Sequence, residues 1–376
     1  MRRVKFAVLV KYAVFLLFAT LSFLTLSCDD DSRQDNFTTC PVSTRAKVII
    51  DADVVEVFDD GVALMMLASN PTIDVLGVTT VTGNEWSSSC VAHAIRQLEA
   101  IGKTSIPVVE GASRPLYPEK FFSLEEDWKS IGYVVDYMRA LSNEEDSTWT
   151  EAYKRFYNTT PTMTTLNKSA EDFIIETVKN NPNEVTLFVI GPCTNIAKAV
   201  QKAPEIVPLI KNVVYMGGAF YCDGYDVPWA EFNWIADPDA AQICVNTAFK
   251  DQLIIGQDVS YKVTMDSAYY FNLIDVTSNA IIKQMLKDKY LFGLFSSGAV
   301  DKWCLWDVIA AACVIDPTLE QDVISRYITI DTEGAKRGHV NVYESKPSSD
   351  AQSVRILMNT DAERVRTMIT DVFANL

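Results

Sequence analysis

Four aspartates stand in one apolar run: Asp51, Asp53, Asp59 and Asp60 within "VIIDADVVEVFDDGVALMML", which starts at Val48. A buried carboxylate is costly unless it is hydrogen-bonded, paired or bound to a metal. Asp53 and Asp60 are the best metal candidates, because a strand-end carboxylate and one on the following helix can converge on a single cation. A hard cation such as calcium takes about six to eight oxygens, backbone carbonyls and waters included. It also removes the repulsion between neighbouring carboxylates. The competing reading is that aspartates at a strand-to-helix turn serve only as helix caps.

Three further stretches carry polar groups that could join this cluster. In "VIGPCTNIAKA", Gly191-Pro192 breaks a strand and Thr194 and Asn195 open a helix, where a backbone carbonyl can face a site. In "VPWAEFNWIADPDAA", Glu231 and Asn233 lie two apart and share a face if the chain is extended. A carboxylate beside a carboxamide suits the vicinal hydroxyls of a sugar. In "CLWDVIAAACVIDP", Asp307 is a lone acid at the start of an apolar helix, which by itself reads as an N-cap.

Something must bring these distant groups together. "AKVIID" reads as a buried strand and "DDGVALMMLAS" as the helix after it. "IDVLGVTTV", "VTLFVIG", "NVVYMGG" and "QLIIGQDVS" are further strands, separated by the helical patterns "SSSCVAHAIRQLEAIG", "SAEDFIIETVKNNP" and "TNIAKAVQKAP". This order predicts an α/β fold, a mostly parallel central sheet with helices on both faces. Ligands in such sheets bind beyond the carboxyl ends of the strands. Asp51 to Asp60, Thr82 to Asn84, Gly191 to Asn195, and Gly217 with Gly218 all fall at such ends. "YITIDTEGAKRGHVNVYES" predicts a hairpin around Gly334, and a final helix closes the chain. Residues 118–165 interrupt the alternation with a helical, aromatic and charged segment that reads either as a lid or as a surface excursion.

The N-terminus reads as a targeting segment. Arg2, Arg3, Lys5 and Lys11 accompany the apolar run "YAVFLLFATLSFLTLS", too short for a membrane span and suited to a signal-peptide core. The run ends at "LTLSC", which resembles a bacterial lipoprotein box, so Cys28 would carry a lipid that anchors the chain to a membrane. A plain secretory signal is the alternative. The expected organisation is a signal peptide over 1–27, a polar tether over 28–46 and an α/β domain over 47–376, exported to the periplasm or the cell surface. The chain holds 33 Lys and Arg against 49 Asp and Glu, a formal charge of −16. Its acidity argues against a nucleic-acid partner and leaves small molecules and cations. The cysteines show no zinc spacing and give no assignable disulfide, and a homo-oligomer is left open.

Taken in order, these motifs resemble the nucleoside hydrolases of the inosine–uridine type. The aspartate-rich opening, "VTTVTGN", "GPCTNIAKA", "VVYMGGAF", "AEFNWIADPDAA", "DVSYKV" and "KRGHVNVY" carry the resemblance from about Lys47 to the C-terminus. The resemblance implies a calcium ion held by Asp53, Asp60, the Thr194 backbone carbonyl and Asp307. It also implies Asp53 as general base on a water held by the ion. Asp59, Asn84, Glu231 and Asn233 would hold the ribose hydroxyls, with Met216 beside them and Asp51 supporting the cluster. Trp306 takes the place of a leaving-group histidine, as in purine-preferring members, where it stacks on the base; core packing is its alternative role. Val54-Val55, Val57 and Tyr225 depart from the family's pattern, and His93 and His339 read as structural. The activity implied is hydrolysis of the N-glycosidic bond of purine-like nucleosides for nucleoside salvage. Two alternatives stand beside it. One is a nucleoside- or sugar-binding lipoprotein that has lost turnover. The other is a haloacid-dehalogenase-type phosphatase using Asp51, which leaves "GPCTN", "AEFN" and "LWD" unexplained.

Overall fold

The strand-forming runs pair into one nine-stranded sheet because each alternates its side chains between two apolar layers. In the computed structural model, which describes residues 45–56, 59–120, 140, 144–288 and 290–376, the strands are β1 Ala46–Ala52, β2 Ile73–Thr80, β3 Val108–Val109, β4 Val185–Val189, β5 Asn212–Met216, β6 Gln252–Ile255, β7 Thr264–Asp266, β8 Lys302–Cys304, β9 Asp322–Ile330, β10 Val340–Tyr343 and β11 Ser353–Asn359. Their order across the sheet is β10-β9-β11-β6-β5-β4-β1-β2-β3. All neighbours are parallel except β9, which runs against both β10 and β11. The β9–β10 pair is the hairpin expected around Gly334, with Val340 opposite Ile330. The mostly parallel α/β sheet is thus as the sequence implies.

Period-two alternation is visible strand by strand. Val48 and Ile50 of β1, Phe188 of β4, Val214 and Met216 of β5, and Leu253 and Ile255 of β6 enter one core. Ile49, Leu187, Val189, Val213, Tyr215 and Ile254 enter the other. The first layer is covered by α1 Asp59–Ser69, α2 Ser87–Ala100, α12 Asp307–Ile315 and α13 Ala362–Asn375, and the second by α4 Ala170–Asn180, α5 Thr194–Lys202 and α7 Pro238–Asn246. The remaining α-helices with given bounds are α3 Trp149–Tyr157, α6 Phe232–Ala236, α8 Gln257–Ser260, α9 Ser267–Val276, α10 Ala280–Lys287 and α11 Tyr290–Ser297.

Strands β2 and β3 lie on one side of β1, and β4, β5 and β6 on the other. The chain therefore reverses direction between β1 and β4, and two neighbouring crossovers leave a crevice at the carboxyl ends there. Asp51 and Asp53 leave β1 on one side of that crevice, and Gly191 to Asn195 leave β4 on the other. A separate two-stranded antiparallel ribbon, β7 with β8, pairs Met265 with Trp303 and leads directly into Trp306 and Asp307. The signal peptide, the tether to Thr44 with Cys28, Val57, and 121–139 and 141–143 of the interrupting segment lie outside the described residues. Its described helix α3 packs on α2 through Tyr157, whose hydroxyl lies 2.6 Å from His93 Nδ1. Among the described residues no helix is long and apolar enough to cross a membrane.

Candidate active site

Each carboxylate of the opening run is held differently. Asp51 is the penultimate residue of β1, and its Oδ1 accepts from the Thr79 hydroxyl and from Asn195 Nδ2 at 2.8 Å. Asn195 also donates to the Thr80 carbonyl at 2.8 Å and accepts from the Ala112 amide at 2.9 Å. Asp51 thus ties β1 to β2 and to the start of α5. Burial pushes its carboxyl up to about 7, against the lowering effect of those hydrogen bonds.

Asp53 is fully buried, and its Oδ2 accepts from the Asn84 amide at 2.6 Å. Two glycines cradle it. A Cβ on Gly83 would sit 2.2 Å from Asp53 Oδ2, and one on Gly191 would sit 2.9 Å from Oδ1. The glycines of "TGN" and "GPC" are therefore there for space, since any side chain would displace this carboxylate.

Asp60, on the first turn of α1, receives Asn84 Nδ2 at 3.5 Å on one oxygen, while its other oxygen, Oδ1, is buried without a hydrogen-bond partner. Burial, then the charges of Asp53 and Asp59, raise its carboxyl well above the usual range. Asp59 does not cap its own helix. Its Oδ1 accepts from the Asp307 amide at 3.0 Å, so it caps α12, which starts 248 residues later. Asp307 lies against the same group, its carboxyl raised by burial and by the charges of Asp59, Asp60, Asp53 and Glu231. Five acids from three distant segments thus share one buried neighbourhood.

Glu231 corrects one expectation. It and Asn233 are not on an extended segment: Glu231 is the N-cap of α6, and its carboxylate accepts from the backbone amides of Asn233 at 2.7 Å, Gly218 at 3.0 Å and Trp234 at 3.1 Å. Burial pushes it up to about 7 despite those donors. Asn233 donates from Nδ2 to the Ile190 and Met216 carbonyls at 2.9 and 3.2 Å, while its buried Oδ1 has no hydrogen-bond partner.

A cleft opens over these groups. Asp59, Asp60 and Asn84 line it beside Met216, Glu231 and Asn233, and Trp306 and Asp307 close the ring. Asp53 is not part of this lining but is hydrogen-bonded to the main chain of Asn84, which is. Thr194 does not reach the cleft with its side chain, because its hydroxyl donates to Asp237 Oδ2 at 2.6 Å; only its main chain is left for a ligand. One wall is aromatic: the Trp306 ring meets Tyr225 edge-on at 5.4 Å and Trp303 at 6.0 Å. Trp303 and Gln257 escaped sequence reasoning. The only available signals were a second tryptophan three residues before Trp306 and a polar residue just past the end of β6.

The two histidines stay outside this lining. His93 is buried in α2, pushed down to about 3 by burial, and His339 Nδ1 lies 3.0 Å from the Trp229 carbonyl. The described cysteines are unpaired thiols.

The donor set is oxygen-only and acidic, as a hard cation requires. The partnerless Oδ1 of Asp60 and the glycine cradle around Asp53 leave room for one at the floor of the cleft. Among the described residues, no three acidic, histidine or cysteine side chains already converge into a metal cage.

Residues 48–367 match the model of the inosine-uridine preferring nucleoside hydrolase family. The chain belongs to this family. It is 28% identical over 342 residues to the "Probable uridine nucleosidase 2" of Arabidopsis thaliana, covering 88% of this chain and 98% of the plant protein. It is 28% identical over 275 residues to the "Inosine-uridine preferring nucleoside hydrolase" of Crithidia fasciculata, covering 73% and 80%. In fold it is similar to the "Purine-Preferring Ribonucleoside Hydrolase from Gardnerella vaginalis", with a TM-score of 0.70 at 24% identity over 88% of this chain and 100% of that one. This nucleoside hydrolase is therefore a hydrolase acting on N-glycosyl compounds, and enzymes of its family use a metal ion. The phosphatase alternative falls with this assignment. It also lacks a free nucleophile, because Asp51 is engaged by Thr79 and Asn195.

Proposed function

We propose that this nucleoside hydrolase cleaves purine-like nucleosides to free base and ribose with the help of calcium. The observation that supports this most strongly is the packing of Asp307 on Asp59 beside the buried, partnerless Oδ1 of Asp60. The ion's ligands would be Asp53, Asp60, Asp307 and the Thr194 main-chain carbonyl. When bound, calcium would supply Lewis acidity toward the attacking water and a counter-charge for the acids. Asp53, fixed by the Asn84 amide and the glycine cradle, is the general base that takes the water's proton. Asp59, Asn84, Glu231 and Asn233 bind and orient the ribose hydroxyls. The carboxylates among them stabilise the positive charge that develops on the sugar as the C–N bond breaks. Trp306, with Tyr225 and Trp303, forms the stacking wall for the base, and the breadth of that wall supports a purine.

The test is base release by purified protein, stripped with chelator and reloaded with calcium, on inosine and uridine. Calcium-restored release that favours inosine is expected; release indifferent to calcium overturns the metal assignment. A second reading is a pocket that binds nucleoside or sugar without turnover. It is motivated by Val54 and Val55 in the metal loop. Calcium binding with no base released from any nucleoside would favour it. Export as a lipoprotein on Cys28 belongs to the same proposal: metabolic lipid labelling should mark the full chain and fail with Cys28→Ser.

A further inference from the structure

Gln257 is a cleft residue for which the resemblance supplied no role. It follows the end of β6 as the first residue of α8, with Gly256 as N-cap. Its backbone amide is spent on the Gly218 carbonyl at 2.8 Å, so its position is fixed by the main chain. The residue is 1% exposed and lines the cleft beside Trp303 and Trp306.

Its side chain has one defined orientation. Trp306 Nε1 donates to Gln257 Oε1 at 3.2 Å. An indole N–H only donates, so the amide cannot be turned over without setting two donors against each other. The amino group therefore points away from Trp306, and it is buried without a hydrogen-bond partner. A buried donor left unmade is unfavourable, and a ligand that supplies the acceptor is selected over one that does not.

We propose that Gln257 Nε2 donates a hydrogen bond to the exocyclic keto oxygen of the nucleobase, making this residue the determinant that favours oxo-bases. The inference rests on the nucleosidase reading of the cleft. Trp306 has two linked tasks in it: its ring faces the base, and its N–H aims the amide of Gln257 toward the edge of that same base. A base with hydrogen in place of the keto oxygen leaves the amide unpaired.

The experiment is a cycle of two substrates and two proteins: inosine and purine riboside, which lacks the keto oxygen, with the wild-type enzyme and Gln257→Met. Wild type should favour inosine in kcat/KM, and the substitution should narrow that ratio by about tenfold or more. If Gln257 only holds Trp306 in place, both substrates suffer equally and the ratio stays put, which overturns the proposal. Gln257→Glu gives a second reading should the methionine variant misfold. It keeps the acceptor for Trp306, and its inosine preference should fall as pH rises and the carboxyl loses its proton; a preference independent of pH counts against the proposal. Were wild type to cleave neither nucleoside, the nucleosidase reading would fail. The same ratio would then be taken from dissociation constants measured by tryptophan fluorescence, with the same two outcomes.

Discussion

The acid cluster makes the stability of the metal-free enzyme depend on pH in a direction opposite to ordinary acid denaturation. Asp51 and Glu231, 1% and 3% exposed, are both pushed up to about 7 from ordinary values of 3.8 and 4.5. Between those values the folded state holds protons that the unfolded chain has released. Their contribution to stability is therefore complete below about pH 4 and lost as pH rises through 7. From pH 6.0 to 8.5 each group accounts for about 1.4 kcal/mol of loss. His93 acts the other way. Its folded value, about 3 against 6.5, gives stability that is present above 6.5 and is lost as pH falls. Over the same interval it returns only about 0.8 kcal/mol on raising the pH. The net loss from these three groups is about 2 kcal/mol, or a fall in Tm of roughly 3 °C for a domain of this size. Melting curves in chelator at pH 6.0, 7.0 and 8.5 measure it, and the same curves in calcium should be flatter and higher, because a bound cation favours the ionised acids. A chelated protein whose Tm is unchanged or rises toward pH 8.5 would refute the reasoning.

Other consequences are local. Asp53→Asn keeps an acceptor for the Asn84 amide and should leave the melting temperature within a few degrees, while kcat drops by about a hundredfold to ten-thousandfold, as loss of a general base does. Gly83→Ala places a methyl group 2.2 Å from Asp53 Oδ2. The carboxylate must swing away, so both turnover and the calcium-induced rise in Tm should be lost, measurable by base release and by melting with and without the ion. Asn195→Ala strips one donor from Asp51 and leaves the buried Ala112 amide without its acceptor. It should lower stability by about 1–3 kcal/mol, read by urea unfolding.

How far the sequence reveals all this depends on how local each signal is. The strands are legible because alternation places Val48 and Ile50 on one face and Ile49 on the other, a pattern that needs no knowledge of partners. The parallel sheet follows from strand and helix alternating along the chain. Asp59 shows the limit. In sequence it looks like the cap of its own helix, whereas its carboxylate caps α12, and only the packing of α1 against α12 decides that. Glu231 reads as half of an extended pair, because the spacing of two that it makes with Asn233 cannot distinguish a strand from the first turn of α6. Trp303 and Gln257 were invisible for another reason. Trp303 reaches the cleft on β8, a three-residue strand whose partner β7 lies far earlier in the chain. Gln257 matters because of where Trp306 points. Neither fact leaves a periodic trace.

The central claim is that Asp53, Asp60 and Asp307 close around one calcium ion at the carboxyl ends of β1 and β4. Crystals grown with calcium and soaked with inosine test it in a single map. One ion is expected within about 2.3–2.6 Å of an oxygen from each of the three aspartates, with Glu231 and Asn233 against the ribose. An ion bound elsewhere, or an Asp307 carboxylate turned away from it, would contradict the account.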